Sequence, residues 1–207
     1  WSNEMLKFYD LANLEITHPE VTIRRYQESD LAGLAAIFER EFFTWFFTNY
    51  ADCEEFVAEK MAEFEKGNLV MLVIVENSTQ QIIGTSSLYE ISLRHKRLEL
   101  GSSWLARQHQ GKHYNALIKL LLIDYLIMSL GFNRLQWKTD ALNEKSKQAM
   151  LKLGFIYEGT LRRHAITASG RIRDSLVFAL TDLDWECVKL VIEARIADKI
   201  KLARLDK

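Results

Sequence analysis

The sequence predicts one mixed α/β (α+β) domain built on a mostly antiparallel central sheet of about seven strands. Three observations carry that reading. Between residues 69 and 105, three extended runs are joined by short polar turns, which is the pattern of an antiparallel meander. Residues 114–130 form a long apolar run at helical spacing, entered through a polar loop with one glycine, Gly111. Beyond it a strand, a short helix, a hairpin and a last helix follow in order, which makes a mixed sheet.

Composition bounds the function before any motif is read. The 207 residues, 48% of them hydrophobic, suffice for one sizeable core. A net charge of −1 gives no bulk attraction to nucleic acid or to an anionic membrane. Cys53 and Cys187 lie far apart in no metal-ligand spacing, which fits a reducing compartment and argues against a disulfide framework. No apolar run approaches about 20 residues without charge, so no membrane span is expected. The opening Trp1-Ser2-Asn3-Glu4 is neither basic nor apolar enough for a signal peptide. Met5 reads as the natural start, residues 1–4 as a tag remnant, and residues 1–20 as an N-terminal extension of a cytoplasmic protein.

Along the chain, residues 21–25 read as a first strand after the lone Pro19. Ser29 or Asp30 is placed to cap a helix whose apolar positions are Leu31, Leu34, Ala35, Phe38, Phe42 and Trp45. The aromatic segment Phe42–Phe47 is either core or the wall of a substrate pocket. Residues 52–66 form a second helix stopped by Gly67. On it Asp52, Glu55, Glu59 and Glu63 make an acidic stripe, either a solvated face or a docking surface for a cationic acceptor. Leu69–Val75 reads as a buried strand, Gln81–Ile91 as its partner and Arg97–Leu105 as the next. The long helix ends at Leu130-Gly131-Phe132, and Leu153-Gly154-Phe155 repeats that stop. Between them lie a strand, 134–139, and a short helix from Asn143. The hairpin 155–180 turns at Ala168-Ser169-Gly170, and Asp182 or Asp184 starts the terminal helix, 182–207.

Three places could carry chemistry. Gln108–Asn115 sets several backbone amides at a helix N-terminus, with Arg107 and Lys112 as nearby cations. A pyrophosphate suits both the dipole and the lysine, although an ordinary loop capped by Asn115 would look the same. Asn143-x-x-Ser146 offers an amide and a hydroxyl, with Ser146 on the inward face set by Met150 and Leu153; the same pair also reads as a plain N-cap. Period two puts Glu99, Gly101 and Ser103 on one strand face, opposite Leu98, Leu100 and Trp104. Partial burial would lift Glu99 toward neutrality, as a base for an amine, while Asp140 is its rival. The histidines, His95, His109, His113 and His164 among them, show no metal-ligand spacing, so no metal is expected. No G-x-S-x-G elbow supports a serine triad.

Read in order, Ile83-Gly84-Thr85, Glu99-Leu100-Gly101, Trp104-Leu105, Gln110 to Asn115, Lys138-Thr139-Asp140, Asn143 to Ser146, Leu153-Gly154-Phe155, Glu158 to His164, Arg173-Asp174 and Asp184-Trp185 form one series. That series resembles the GNAT superfamily of acetyl-CoA-dependent N-acetyltransferases, most closely its RimJ/RimL-like branch. The resemblance implies helices on both faces of the sheet and a splayed parallel pair, 97–105 with 134–139, admitting the pantetheine arm of acetyl-CoA. It implies cofactor contacts from Trp104, Leu105, Gln110, Gly111, Lys112, His113, Tyr114, Asn115, Asn143 and Ser146. It places the amine acceptor near Trp45, Tyr89 and Glu99. His113 stands where the family's loop carries a small residue, so its side chain must point away from the phosphates. Met150 stands where many of these enzymes carry a tyrosine acid, which leaves Ser146 for that role. The implied reaction is direct transfer to an amine, with Glu99 as base, a backbone N–H at the strand kink holding the oxyanion, and Ser146 assisting the thiolate. A GNAT module that binds acyl-CoA without catalysis is the alternative. The acceptor is a protein N-terminus or a small amine, and the chain is expected as a monomer or homodimer without nucleic acid or membrane partners.

Overall fold

The computed structural model describes residues 8–205. The remnant expected at residues 1–4, the start at Met5 and the last two residues of the chain lie outside them. The strands are β1 Glu15–Thr17, β2 Val21–Arg25, β3 Val70–Glu76, β4 Gln81–Ser92, β5 Arg97–Leu105, β6 Arg134–Asp140, β7 Ile156–Ile166 and β8 Ile172–Thr181. The helices are α1 Phe8–Ala12, α2 Leu31–Ala35, α3 Cys53–Glu65, α4 Tyr114–Asp124, α5 Glu144–Lys152 and α6 Trp185–Leu205.

Among the described residues all eight strands join one sheet in the order β1-β2-β3-β4-β5-β6-β8-β7. Every pairing is antiparallel except that of β5 with β6. The sequence reading missed β1, whose three residues are too few to show a period; it pairs Ile16 with Ile23 across the Pro19 turn. Residues 8–17, expected as part of an extension, therefore contribute α1 and an edge strand, and Leu11 and Leu14 are buried. Burial on both faces explains why β3 is apolar from Val70 to Val75. Val70, Leu72 and Ile74 face the core under α4 and α6, while Met71, Val73 and Val75 face the one under α2 and α3. Among the described residues no helix is long and apolar enough to cross a membrane.

Two sequence expectations fail locally. The helix predicted through Trp45 stops at Ala35, and the chain continues through a 3-10 turn at Arg40–Phe43. Five aromatics crowded into residues 42–47 cannot share one stripe of a regular helix. The broken path sends Phe43 into the core, Phe42 against Trp104 at 5.2 Å between rings, and Phe47 beneath Arg173. The second failure is in β5. Its pairing with β4 jumps from Ser87↔Gly101 to Thr85↔Trp104, so Ser102 and Ser103 together oppose Ser86. Ser102 takes φ +44°, and the bulge inverts the alternation beyond it. Trp104 consequently joins the aromatic core under α3, not the face of Leu98 and Leu100, and Ser103 turns toward α4.

Candidate active site

The parallel pairing of β5 with β6 lasts only from Arg97↔Arg134 to Glu99↔Gln136. Beyond it β5 follows β4 and β6 follows β8, and the two strands part. A cavity of about 1190 Å³ opens at this fork, running from the loop before α4 to the aromatic segment 42–50. Two free backbone edges, a helix N-terminus and a largely desolvated carboxylate converge on it.

At one end, Gly111 takes φ +75° with nothing within 4 Å of where a Cβ would stand, so the loop leaves an open cradle before α4. The first N–H groups of a helix have no partners of their own, and they face this cradle with the positive end of the helix dipole. Lys112, Lys145, Arg195 and Lys199 line the same end. Lys199, on the last turns of α6, donates to the Gly111 carbonyl at 2.7 Å. The Gln110 side chain braces the loop, donating to the Leu105 carbonyl at 2.8 Å and accepting from Lys145 at 3.1 Å. His113 and Tyr114, expected among the cofactor contacts, turn their side chains out of the cavity lining. His113 Nε2 lies 2.6 Å from Glu20, its ring stacked on Tyr114, whose hydroxyl donates to Glu76 at 2.7 Å. The loop thus accommodates an imidazole where a small residue was expected, by facing it toward the β1–β2 turn. Asn115 lines the cavity but does not cap the helix; His113 occupies that position.

At the fork, Glu99 is 14% exposed and its Oε2 lies 2.7 Å from Lys138 Nζ. Burial pushes the Glu99 carboxyl up from its ordinary range, against the opposing pull of the Lys138 hydrogen bond and charge. Lys138 also pairs with Glu90 at 2.6 Å; burial pulls its pKa down, but the two carboxylates outweigh that and hold it above the usual lysine value. Asp140, the rival base, is fully buried, pairs with Arg171 and accepts the Leu142 N–H at 3.0 Å. Its lone pairs are committed to the structure.

Asn143 caps α5, accepting the Ser146 N–H at 3.1 Å, so the capping role read from sequence is present. Both residues also line the cavity, opposite the β5 bulge. Trp45, Tyr89, Phe46 and Phe47 wall the far end, together with Glu41, Glu59 and Glu63. The acidic stripe on α3 is largely satisfied locally: Asp52 caps the helix, Glu55 accepts the Ala51 N–H, Glu59 pairs with Lys60, and Glu63 with Lys66. Tyr89 bonds the Ser102 hydroxyl through its own, which ties the bulge to β4.

Residues 20–156 match the acetyltransferase (GNAT) domain family. The chain belongs to that family. An uncharacterized N-acetyltransferase, p20 of Bacillus licheniformis, is 35% identical over 112 residues, covering 54% of this chain and 62% of that protein. The chain therefore matches about six-tenths of that relative's length. A GCN5-related N-acetyltransferase structure from Brucella melitensis superposes with a TM-score of 0.77 at 22% identity, over 88% of this chain and 85% of that one. Spermidine N-acetyltransferase from Vibrio cholerae, solved with CoA and spermine, gives 0.69 at 20% identity, over 81% and 99%. These structural likenesses carry the GNAT fold.

Within this GNAT domain the cavity gathers Glu99, Ser146, Trp104, Leu105, Gln110, Gly111, Lys112, Asn115, Asn143, Trp45 and Tyr89. It also gathers residues that sequence reasoning passed over. Lys138 and Lys119 were legible in principle, the first two residues before Asp140 and the second a lysine inside an apolar helix face. Arg195 and Lys199 carry no local sign, because only the return of α6 brings them to the loop. Among the described residues no group of acidic, histidine or cysteine side chains is arranged for a metal ion.

Proposed function

We propose that this fork takes acetyl-CoA and that the chain transfers its acetyl group directly to a primary amine, a protein N-terminus or a small-molecule amine, as a cytoplasmic RimJ/RimL-like enzyme. The single observation that carries the reading is the largely desolvated Glu99 carboxylate at the point where β5 and β6 separate. Several features of this chain suit the cofactor. The cradle at Gly111 and its cations match a pyrophosphate, and the splayed backbone edges match the amides of a pantetheine arm. The indole N–H groups of Trp104 and Trp137, both lining the cavity, are buried without a partner among the described residues. Acetyl-CoA, when bound, supplies an activated thioester.

The chain's own residues then divide the work. An amine arrives as an ammonium, and Glu99, with its proton affinity raised by burial, removes a proton directly or through water. Positioning along β5 holds the reacting atoms in line. The pairing with β4 is interrupted at Gly101–Ser102, and a backbone N–H at that kink would hold the charge that develops on the carbonyl oxygen. Ser146 offers its hydroxyl to the departing sulfur. Glu41, Glu59 and Glu63 beside Trp45 and Tyr89 favour an acceptor that combines a cationic amine with an apolar portion.

Calorimetric titration with acetyl-CoA, on the native chain and on Asn143→Ala/Ser146→Ala, tests the cofactor half. Micromolar binding weakened by the double substitution is expected; no binding at millimolar ligand overturns the reading. An amine panel monitored by thiol release tests the transfer. Binding with no release for any amine would leave a non-catalytic acyl-CoA module.

A further inference from the structure

Lys119 lies on the inward face of α4, 7% exposed, at the wall of the same cavity. Its neighbours on that face, Ala116 and Ile123, are apolar and buried. Its one hydrogen bond among the described residues goes to the Ser103 hydroxyl at 3.1 Å, just beyond the β5 bulge, and Ser103 in turn meets the Ser86 hydroxyl at 2.8 Å. Among the described residues no carboxylate pairs with it. The cavity's acidic groups at the fork, Glu99 and Glu90, are engaged by Lys138. Burial alone holds Lys119 down at about 8.

An ammonium carries three N–H donors, and leaving buried donors unmade is costly. One donor here is answered by Ser103, and the open direction for the others is the cavity. The hydrocarbon of an acyl group offers nothing to them and its thioester a single carbonyl, whereas the pantetheine arm of an acyl-CoA carries two amide carbonyls along its length. We infer that Lys119 is a positioning residue that anchors an amide carbonyl of the pantetheine arm from beneath the β5 bulge. This rests on the acyl-CoA reading of the fork. The anchor fixes how far the arm advances along β5, and so where the thioester comes to rest beside Glu99.

The test is calorimetry with CoA, acetyl-CoA and adenosine 3′,5′-bisphosphate, which keeps the phosphates but lacks the arm, on the native chain and on Lys119→Met. Loss of a charged hydrogen bond predicts a fall of about tenfold or more in affinity for CoA and acetyl-CoA alike, with the bisphosphate unchanged. The unliganded variant should melt higher, since an unpaired buried charge has gone. At about pH 8.5 the native chain should take up protons on binding CoA, because the carbonyl favours the charged amine, and Lys119→Met should not. Equal affinity of both proteins for CoA, or an equal loss for the bisphosphate, overturns the anchor. A loss confined to acetyl-CoA would move Lys119 to the acyl group and equally overturn it. Failure of the native chain to bind any of the three ligands overturns the acyl-CoA reading and the anchor with it.

Discussion

Lys138 bridges two carboxylates, Glu99 at 2.7 Å and Glu90 at 2.6 Å, and the first is much the less exposed of the two. Two opposing forces therefore set the proton affinity of Glu99: desolvation raises it and the ammonium restrains it. A base in such a position holds a proton better than a free carboxylate does.

Replacing Glu99 by Gln keeps the shape and removes the base. Turnover with the best amine should fall by about 10²–10⁴-fold, while affinity for CoA stays within about twofold. Steady-state rates beside calorimetry check this. Unaltered turnover would remove Glu99 from the mechanism.

Lys138→Met removes the restraint on Glu99 and leaves the desolvation. The carboxyl pKa then rises, and since the ionised form is the active one, the acid limb of the rate profile should move to higher pH. Glu90, about half exposed, tolerates the loss of its partner in water. A profile of kcat/KM against pH for both proteins decides the point; an acid limb that stays in place, or moves to lower pH, would mean that Glu99 does not titrate in it.

Much of this site could be read from the chain because its parts are local. The Asn143 cap, the Gly111 turn, the glycine stops at 131 and 154 and the buried β3 each depend on a few neighbouring residues. What could not be read depended on other segments. The bulge at Ser102 is set by pairing with β4, so strict alternation placed Trp104 on the wrong face. The aromatic run 42–47 was read as one helix because periodicity is blind to how many faces a crowded segment must serve. Lys199 meets Gly111 across 88 residues of chain, and His113 finds Glu20 across 93. The sequence at either end of such a contact carries no mark of the other.

The bulge can be tested through Gly84. A Cβ there would press on the Trp104 carbonyl oxygen and stand 2.6 Å from Leu105 Cδ2, in the strand immediately beside the fork. Gly84→Ala should cost about 1–3 kcal/mol through overpacking, lowering the melting temperature by several degrees in a chain of this size. Because Trp104 and Leu105 must shift, CoA affinity should fall with stability. Denaturant melts beside calorimetry check both, and a variant as stable as the native chain would mean that the two strands lie farther apart.

Lys119 gives stability a pH dependence whose sign can be worked out. Its pKa in the fold, about 8, lies below the ordinary lysine value of 10.5. Below pH 8 the side chain is charged in the folded and unfolded chains alike, and the fold bears the whole cost of burying it. Between about 8 and 10.5 the unfolded chain keeps the proton that the folded chain has released, so rising pH favours the fold. Above 10.5 both states are neutral. Tyr50 and Cys53, each pushed up to about 12 by burial, tilt stability the other way as pH rises, but they are common to both proteins when Lys119→Met is compared with the native chain. The excess melting temperature of Lys119→Met should therefore be greatest below pH 8 and shrink steadily up to about 10.5. An excess that stays flat across that window would show that the buried amine keeps its proton, as it would if a carboxylate reached it in solution.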